Sequence, residues 1–215
     1  MSFAEELARA LPEDVPQRES VIEKAAKHLE LVAQANEYMN LTRIATPKEA
    51  AIKHVADSLW PWRHFVQARR VLDAGTGAGF PGIPLAIALP EVHFTLAESI
   101  QKKARFVESA VEALGLRNVE VAAERAESVA LLEKPEVITA RAVAPLERVV
   151  ETFRKSLDRG MRLLLYKGPD AEAEFSALHG DRVEAQVIER YELPENFGVR
   201  TLVAVAGHKA RARKA

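Results

Sequence analysis

The run Val71-Leu72-Asp73-Ala74-Gly75-Thr76-Gly77-Ala78-Gly79-Phe80-Pro81-Gly82-Ile83-Pro84 constrains this chain more than any other feature. A short apolar segment that reads as a strand breaks at four glycines within eight residues. It resumes as an apolar helical stretch through Leu89, closed by Pro90. Glycines at such a junction let the backbone turn tightly and approach a ligand with no Cβ in the way. The helix that follows aims free N–H groups at whatever sits on the turn. Strand, glycine turn and helix in that order are the context that gives such a motif meaning.

The spacing allows two ligands. Gly77-Ala78-Gly79-Phe80-Pro81-Gly82 satisfies the dinucleotide fingerprint G-x-G-x-x-G. Read one step earlier, Gly75-Thr76-Gly77-Ala78-Gly79 is the G-x-G-x-G loop of S-adenosylmethionine enzymes. Both registers predict an acid at the end of the next strand to hold ribose hydroxyls, and Glu98 ends Phe94-Thr95-Leu96-Ala97. Three points favour the methyl donor. Asp73, an acid at the first strand's end, suits an amino-acid ammonium and would repel a pyrophosphate. Few residues remain for the substrate domain of a nicotinamide enzyme. The chain also closes with two strand-like runs and no helix between them, which suits a methyltransferase sheet.

Around this junction the texture is alternating strand and helix. Strands are expected at 70–74, 94–97, 119–122, 137–140 and 161–166. Helices are expected at 83–89, 101–114 (with Gly115 as its stop), 146–157 and 170–178. Val183–Leu193 and Arg200–Ala206 then form an antiparallel pair on one edge. Alternation of this kind gives a parallel sheet with helices on both faces. Residues 2–69 read as helical. Val21, Ala25, Leu29 and Val32 recur on one face, and Thr46-Pro47-Lys48-Glu49 starts a helix that turns Ile52, Val55, Leu59 and Trp60 inward. The expected division is a helical extension at 1–69 packed on the core, a core at 70–207, and a tail at 208–215.

Net charge is −1, which argues against a wholly basic nucleic-acid binder. The basic groups are uneven: residues 200–215 carry five and no acid, which fits local phosphate contact or a solubilising terminus. With no cysteine, thiolate metal sites and cysteine nucleophiles are excluded. The six histidines show no metal-ligand spacing, and no serine elbow or Walker loop is present. No apolar run approaches the ~18 residues of a membrane span. The expectation is a cytoplasmic monomer without metal or membrane.

Further residues stand where ligands bind in open α/β sheets, at strand ends. Ala126-Glu127 follow the third strand, where an adenine would lie if Glu98 holds the ribose. Arg141 and Lys167 end the fourth and fifth strands. Lys102, Lys103 and Arg105 crowd the first turns of a helix, where cations oppose the dipole and a neighbouring phosphate would account for them.

At these residues the sequence resembles a family: the bacterial 16S ribosomal RNA guanine-N7 methyltransferases, also called the glucose-inhibited division protein B family. The resemblance rests on Asn40-Leu41-Thr42, His54 through Leu59, Val71 through Pro84, Phe94 through Ser99, Lys102 to Phe106, Ala126-Glu127, Arg141-Ala142 and Leu165 to Gly168. It implies an α/β fold of the class I S-adenosylmethionine methyltransferase kind. The fold would be Rossmann-like, with a seven-stranded sheet whose last strand pair is antiparallel, and with an N-terminal helical extension. It implies S-adenosyl-L-methionine as methyl donor and a guanine of 16S rRNA, free or in the small ribosomal subunit, as substrate. Asp73, Gly75, Gly77, Gly79, Phe80, Glu98, Ala126, Glu127 and Arg141 are then expected at the donor. His54, Lys102, Arg105, Lys167 and Arg200 are expected at the RNA. The family has Asp where this chain has Glu98, and Phe where it has Val143. Guanine N7 carries a free lone pair at neutral pH, so no catalytic base is expected. A methyltransferase acting on a small molecule or protein, and a dinucleotide-binding redox protein, are the alternatives.

Overall fold

The structure, a computed structural model, describes residues 1–44, 46–141, 144–178 and 182–208. Ala142 and Val143, and residues 209–215 of the basic tail, lie outside them.

Among the described residues seven strands form one sheet: β1 (Arg70–Ala74), β2 (His93–Ala97), β3 (Val119–Ala122), β4 (Val137–Arg141), β5 (Arg162–Lys167), β6 (Val183–Glu192) and β7 (Val199–Gly207). Their order is β3-β2-β1-β4-β5-β7-β6, and only β7 runs against the rest. The sequence places the last two runs together on an edge. In the fold β7 inserts between β5 and β6, so the final strand is buried and β6 takes the edge. β7 is accordingly the more apolar of the two runs, with Leu202, Val203 and Val205 fully buried. The order reverses between β1 and β4, the point where open α/β sheets form a ligand crevice at their carboxyl ends.

Alternate residues along each strand feed two cores. Val71, Phe94, Leu96, Val137 and Leu164 face one side. There they meet α1 (Phe3–Ala10), α2 (Arg18–Met39), α5 (Gly82–Ala88) and α6 (Gln101–Leu114). Leu72, Ile138, Leu163, Val203 and Val205 face the other side, against α7 (Ala126–Glu133), α8 (Leu146–Thr152) and α9 (Arg154–Leu157). The N-terminal helices and the sheet therefore share one apolar cluster.

Several elements differ from the sequence reading. Residues 146–157 form two helices broken at Phe153 rather than one. Residues 171–178 wind as a 3-10 helix. The helix capped by Thr46 begins as α3 (Pro47–Ala50), widens into a π-helix at Ala51–Ala56 and closes as α4 (Asp57–Leu59). Ile52, Val55 and Leu59 are buried as expected, whereas Trp60 is only half-buried, its ring stacked on Tyr191. Among the described residues no helix is long and apolar enough to cross a membrane.

Candidate active site

The glycine turn consumes its own N–H groups. Those of Gly75 and Thr76 donate to the Ala97 carbonyl at the end of β2, at 2.9 and 3.1 Å. That of Gly77 donates to Glu98 Oε2 at 3.2 Å. The N–H groups of Gly79 and Phe80 return to the Thr76 carbonyl. Gly82, which opens α5, donates to Asp73 Oδ2 at 2.9 Å, and the Thr76 hydroxyl donates to the same oxygen at 2.6 Å. The start of α5 is thus capped by a fully buried carboxylate. A pyrophosphate has no place there, which removes the main support for the dinucleotide register. Burial is the first cause of Asp73's raised pKa, about 6. Asp73 therefore shapes the turn from behind instead of lining a cavity.

Glu98 is also engaged. Its Oε1 accepts from the Ile100 N–H at 2.8 Å while Oε2 holds Gly77. Each oxygen keeps a lone pair for a further donor. Gly79 adopts φ +96°, and a Cβ there would press on Ile83 and on His28. His28 reaches the turn from α2: fully buried, its Nε2 donates to the Ala78 carbonyl at 2.8 Å. Burial pushes its pKa down to about 4, so the ring is neutral.

Two cavities meet at the switch point. One, about 360 Å³, is lined by Ala74 and Gly75 of β1 and its turn, Ala97 at the end of β2 and Ser99 just beyond it, and Ala126 and Glu127 at the start of α7. The other, about 430 Å³, is lined by Arg141, Leu165 and Lys167 from the strand ends, Arg200 of β7, and His54 and Asp57 from the N-terminal part. Ala140, Ala144 and Val149 line both. Their sizes fall within the ~300–1,000 Å³ of small-molecule sites.

A buried polar network forms the wall between sheet and N-terminal helices. The Arg141 Nη1 donates to the carbonyls of Lys53 (2.8 Å) and His54 (3.2 Å) on the π-helix, and to Asp57 Oδ2 (3.2 Å). Asp57, 5% exposed, accepts from the Tyr191 hydroxyl on Oδ1 at 3.0 Å and faces Arg200 Nε at 3.8 Å. His54 stacks on Phe80 with centroids 4.5 Å apart and planes 8° from parallel. Its Nδ1 lies 3.4 Å from Arg141 Nη2, which can only donate, so Nε2 carries the proton and donates to the Thr42 hydroxyl at 2.9 Å. Burial first, then the Arg141 charge, lowers its pKa to about 3.

The structure therefore brings Gly75, Ala126 and Glu127 to one cavity and His54, Arg141, Lys167 and Arg200 to the next. Asp73, Gly77, Gly79, Phe80 and Glu98 build the turn and its support. The Lys167 ammonium is held by Glu174 (2.9 Å) and the Ala144 carbonyl (3.0 Å), which occupies the cation the sequence offers to a phosphate. Lys102 and Arg105 lie apart, on a groove between α2 and α6. His28 and Tyr191 are not among the residues the sequence points to. His28 interrupts the apolar stripe of α2, the only local sign of it; Tyr191 gives none. Among the described residues no group of three or more His, Asp or Glu could hold a metal.

The family model described as rRNA small subunit methyltransferase G matches residues 21–199. The chain belongs to that family. It is 56% identical over 209 residues to the ribosomal RNA small subunit methyltransferase G of Solibacter usitatus (strain Ellin6076), covering 95% of this chain and 100% of the relative. The protein of that name from Nitrosomonas europaea is 34% identical over 205 residues, with 94% and 90% covered. Among solved structures, the O-methyltransferase TomG from Streptomyces achromogenes superposes with a TM-score of 0.56 at 22% identity, covering 84% of this chain and 90% of that one. This member of the methyltransferase G family thus has a class I methyltransferase fold. His54, Arg141 and the glycine turn all lie inside the matched span.

Proposed function

We propose that the protein transfers the methyl group of S-adenosyl-L-methionine to N7 of a guanine in 16S ribosomal RNA. The observation that carries this reading is the pair of joined cavities at the β1/β4 switch point, in a chain of the rRNA small subunit methyltransferase G family. The glycine-turn cavity fits the donor. Gly75 has φ +70° and presents no side chain, and Ala97, Ser99 and Ala126 keep the walls small. Glu127 and the backbone of Ala126 stand at the adenine end. Glu98 offers its remaining lone pairs to the ribose while fixing Gly77. Asp73, Gly79 and Phe80 act through the turn's shape, and Arg141 stands in the second cavity, next to Ala140, which lines both. Bound there, S-adenosyl-L-methionine supplies a methyl group activated by a sulfonium.

The second cavity suits the guanine. N7 needs no deprotonation, and the cavity offers no base: His54 has both nitrogens engaged and a pKa near 3, and the Asp57 carboxylate is spent on Arg141 and Tyr191. What remains for the protein is alignment and exclusion of water, which effective concentration rewards with several kcal/mol. Guanine N7 lies in the deep, narrow groove of an RNA duplex, so the target base is unpaired or splayed. Arg200 and Lys167, the latter once released from Glu174, are the cations nearest the incoming strand. In this reading residues 1–69 form an extension that walls the base cavity, 70–207 the core and 208–215 a basic tail. The protein works in the cytoplasm as a monomer without metal.

The test is transfer of tritium from labelled donor to 16S rRNA from a strain lacking the enzyme, followed by nuclease mapping. One labelled guanine is expected. Label on protein or small molecules alone, or none on RNA, rejects the reading.

A further inference from the structure

We propose that the groove between α2 and α6 binds a single-stranded segment of the substrate RNA, with Tyr38 stacking on a base and Lys102 and Arg105 holding its phosphates. This rests on the RNA methyl-transfer reading above. The groove, about 330 Å³, is separate from both strand-end cavities. Leu31, Met39 and Phe106 make its floor, and Tyr38, Lys102 and Arg105 stand around it.

Three observations favour RNA. Tyr38 is 75% exposed and lines the groove beside both cations, which places an aromatic ring where a base can stack on it. Lys102 and Arg105 are exposed, and among the described residues neither pairs with a carboxylate and no acid lines the groove. Lys102 sits in the first turn of α6, where it opposes the helix dipole and a bound anion would relieve that cost, and Arg105 follows three residues on along the same face. An apolar floor, a ring and unpaired cations together form the stacking-plus-phosphate surface used for single strands.

The groove also points the right way. α2 and α6 run antiparallel, pinned at the lower end by Lys27 Nζ donating to the Ala113 carbonyl at 2.6 Å. The open end, at Tyr38 and Lys102, is therefore the end from which α6 leaves β2. There Glu98 ties the Ile100 and Gly77 N–H groups together, so the groove begins beside the glycine turn. An RNA strand whose guanine enters the base cavity could continue along it.

The experiment measures binding of protein-free 16S rRNA, from a strain lacking the enzyme, across a salt series. It compares wild type with Tyr38→Ala, Tyr38→Phe and the double variant Lys102→Ala/Arg105→Ala. Affinity for S-adenosylhomocysteine and thermal melting are followed in parallel as controls for donor site and fold. Tyr38→Ala should weaken RNA binding about tenfold and Tyr38→Phe should restore it. The double variant should lower the log–log salt slope by about 1.4, the contribution of two single-strand phosphates. Affinity for S-adenosylhomocysteine should not move. Unchanged RNA affinity and slope, beside a wild type that methylates rRNA, overturn the groove and leave the function standing. The same variants are assayed on assembled small subunits, and a loss of affinity seen there but not on protein-free rRNA overturns it too, in favour of a protein partner. A wild type that methylates no rRNA sinks both.

Discussion

At the scale of single residues, the glycine turn is governed by side chains that do not line the cavity beside it. His28, fully buried, fixes the Ala78 carbonyl, and its proton affinity follows from that burial. Its pKa is about 4 in the folded protein against 6.5 for a free ring. Between those values the unfolded chain binds a proton that the folded one refuses. Its contribution is therefore full above pH 6.5 and is lost as pH falls towards 4, at about 1.4 kcal/mol per pH unit. Asp73 acts with the opposite sign: its raised pKa lets the folded state keep a proton between 3.8 and about 6, so its contribution falls as pH rises through that window. Comparing wild type with His28→Gln cancels the Asp73 part, which both proteins share. Urea unfolding from pH 4 to 7 should show a steeper acid loss in wild type than in His28→Gln. Parallel curves would mean the ring is hydrated in the folded state.

At the scale of elements, the contact between α2 and the glycine turn sets how closely helix and loop can approach. Gly79 and Gly115 both have positive φ, but only Gly79 is crowded: a Cβ there would lie 2.5 Å from Ile83 Cδ1 and 3.2 Å from the His28 ring, while nothing lies within 4 Å at Gly115. Gly115→Ala should cost about 1 kcal/mol for the left-handed backbone alone. Gly79→Ala should cost that and about 1–3 kcal/mol more for overpacking. Urea midpoints measure both, and equal losses would deny the close approach. The π-helix is a second device at this scale. π-turns recur at functional sites, and this one turns the carbonyls of Lys53 and His54 towards Arg141.

At the scale of the whole molecule, the N-terminal helices and one face of the sheet share an apolar cluster, and the Asp57–Arg141–Tyr191 network crosses between them. Parts joined by so much shared burial should melt together. Both tryptophans, Trp60 and Trp62, belong to the N-terminal part, so their fluorescence reports on it, while far-UV circular dichroism reports on the whole. The two transitions should coincide in urea. A fluorescence transition at lower urea would show that the helical part detaches first and that the wall His54 and Asp57 give to the second cavity is detachable.

The strand–helix alternation, the glycine turn, the stop at Gly115 and the closing strand pair are legible in the sequence. Each depends on hydrophobic period and backbone preference within a few neighbouring residues. The family resemblance adds the donor and the substrate. Asp57, beside His54, is legible as a wall of the pocket, but the three dimensions alone decide that β7 slips between β5 and β6, that Lys167 meets Glu174, that Asp57 pairs with Arg141, and that His28 and Tyr191 support the site. Arg141 and Asp57 are 84 residues apart, His28 and Ala78 are 50, and Tyr191 and Asp57 are 134. A long polar side chain takes whichever partner the packed helices bring within about 3 Å, in a medium where leaving it unpaired is costly. No local pattern records that choice, because it is made only when the two faces of the sheet have been covered.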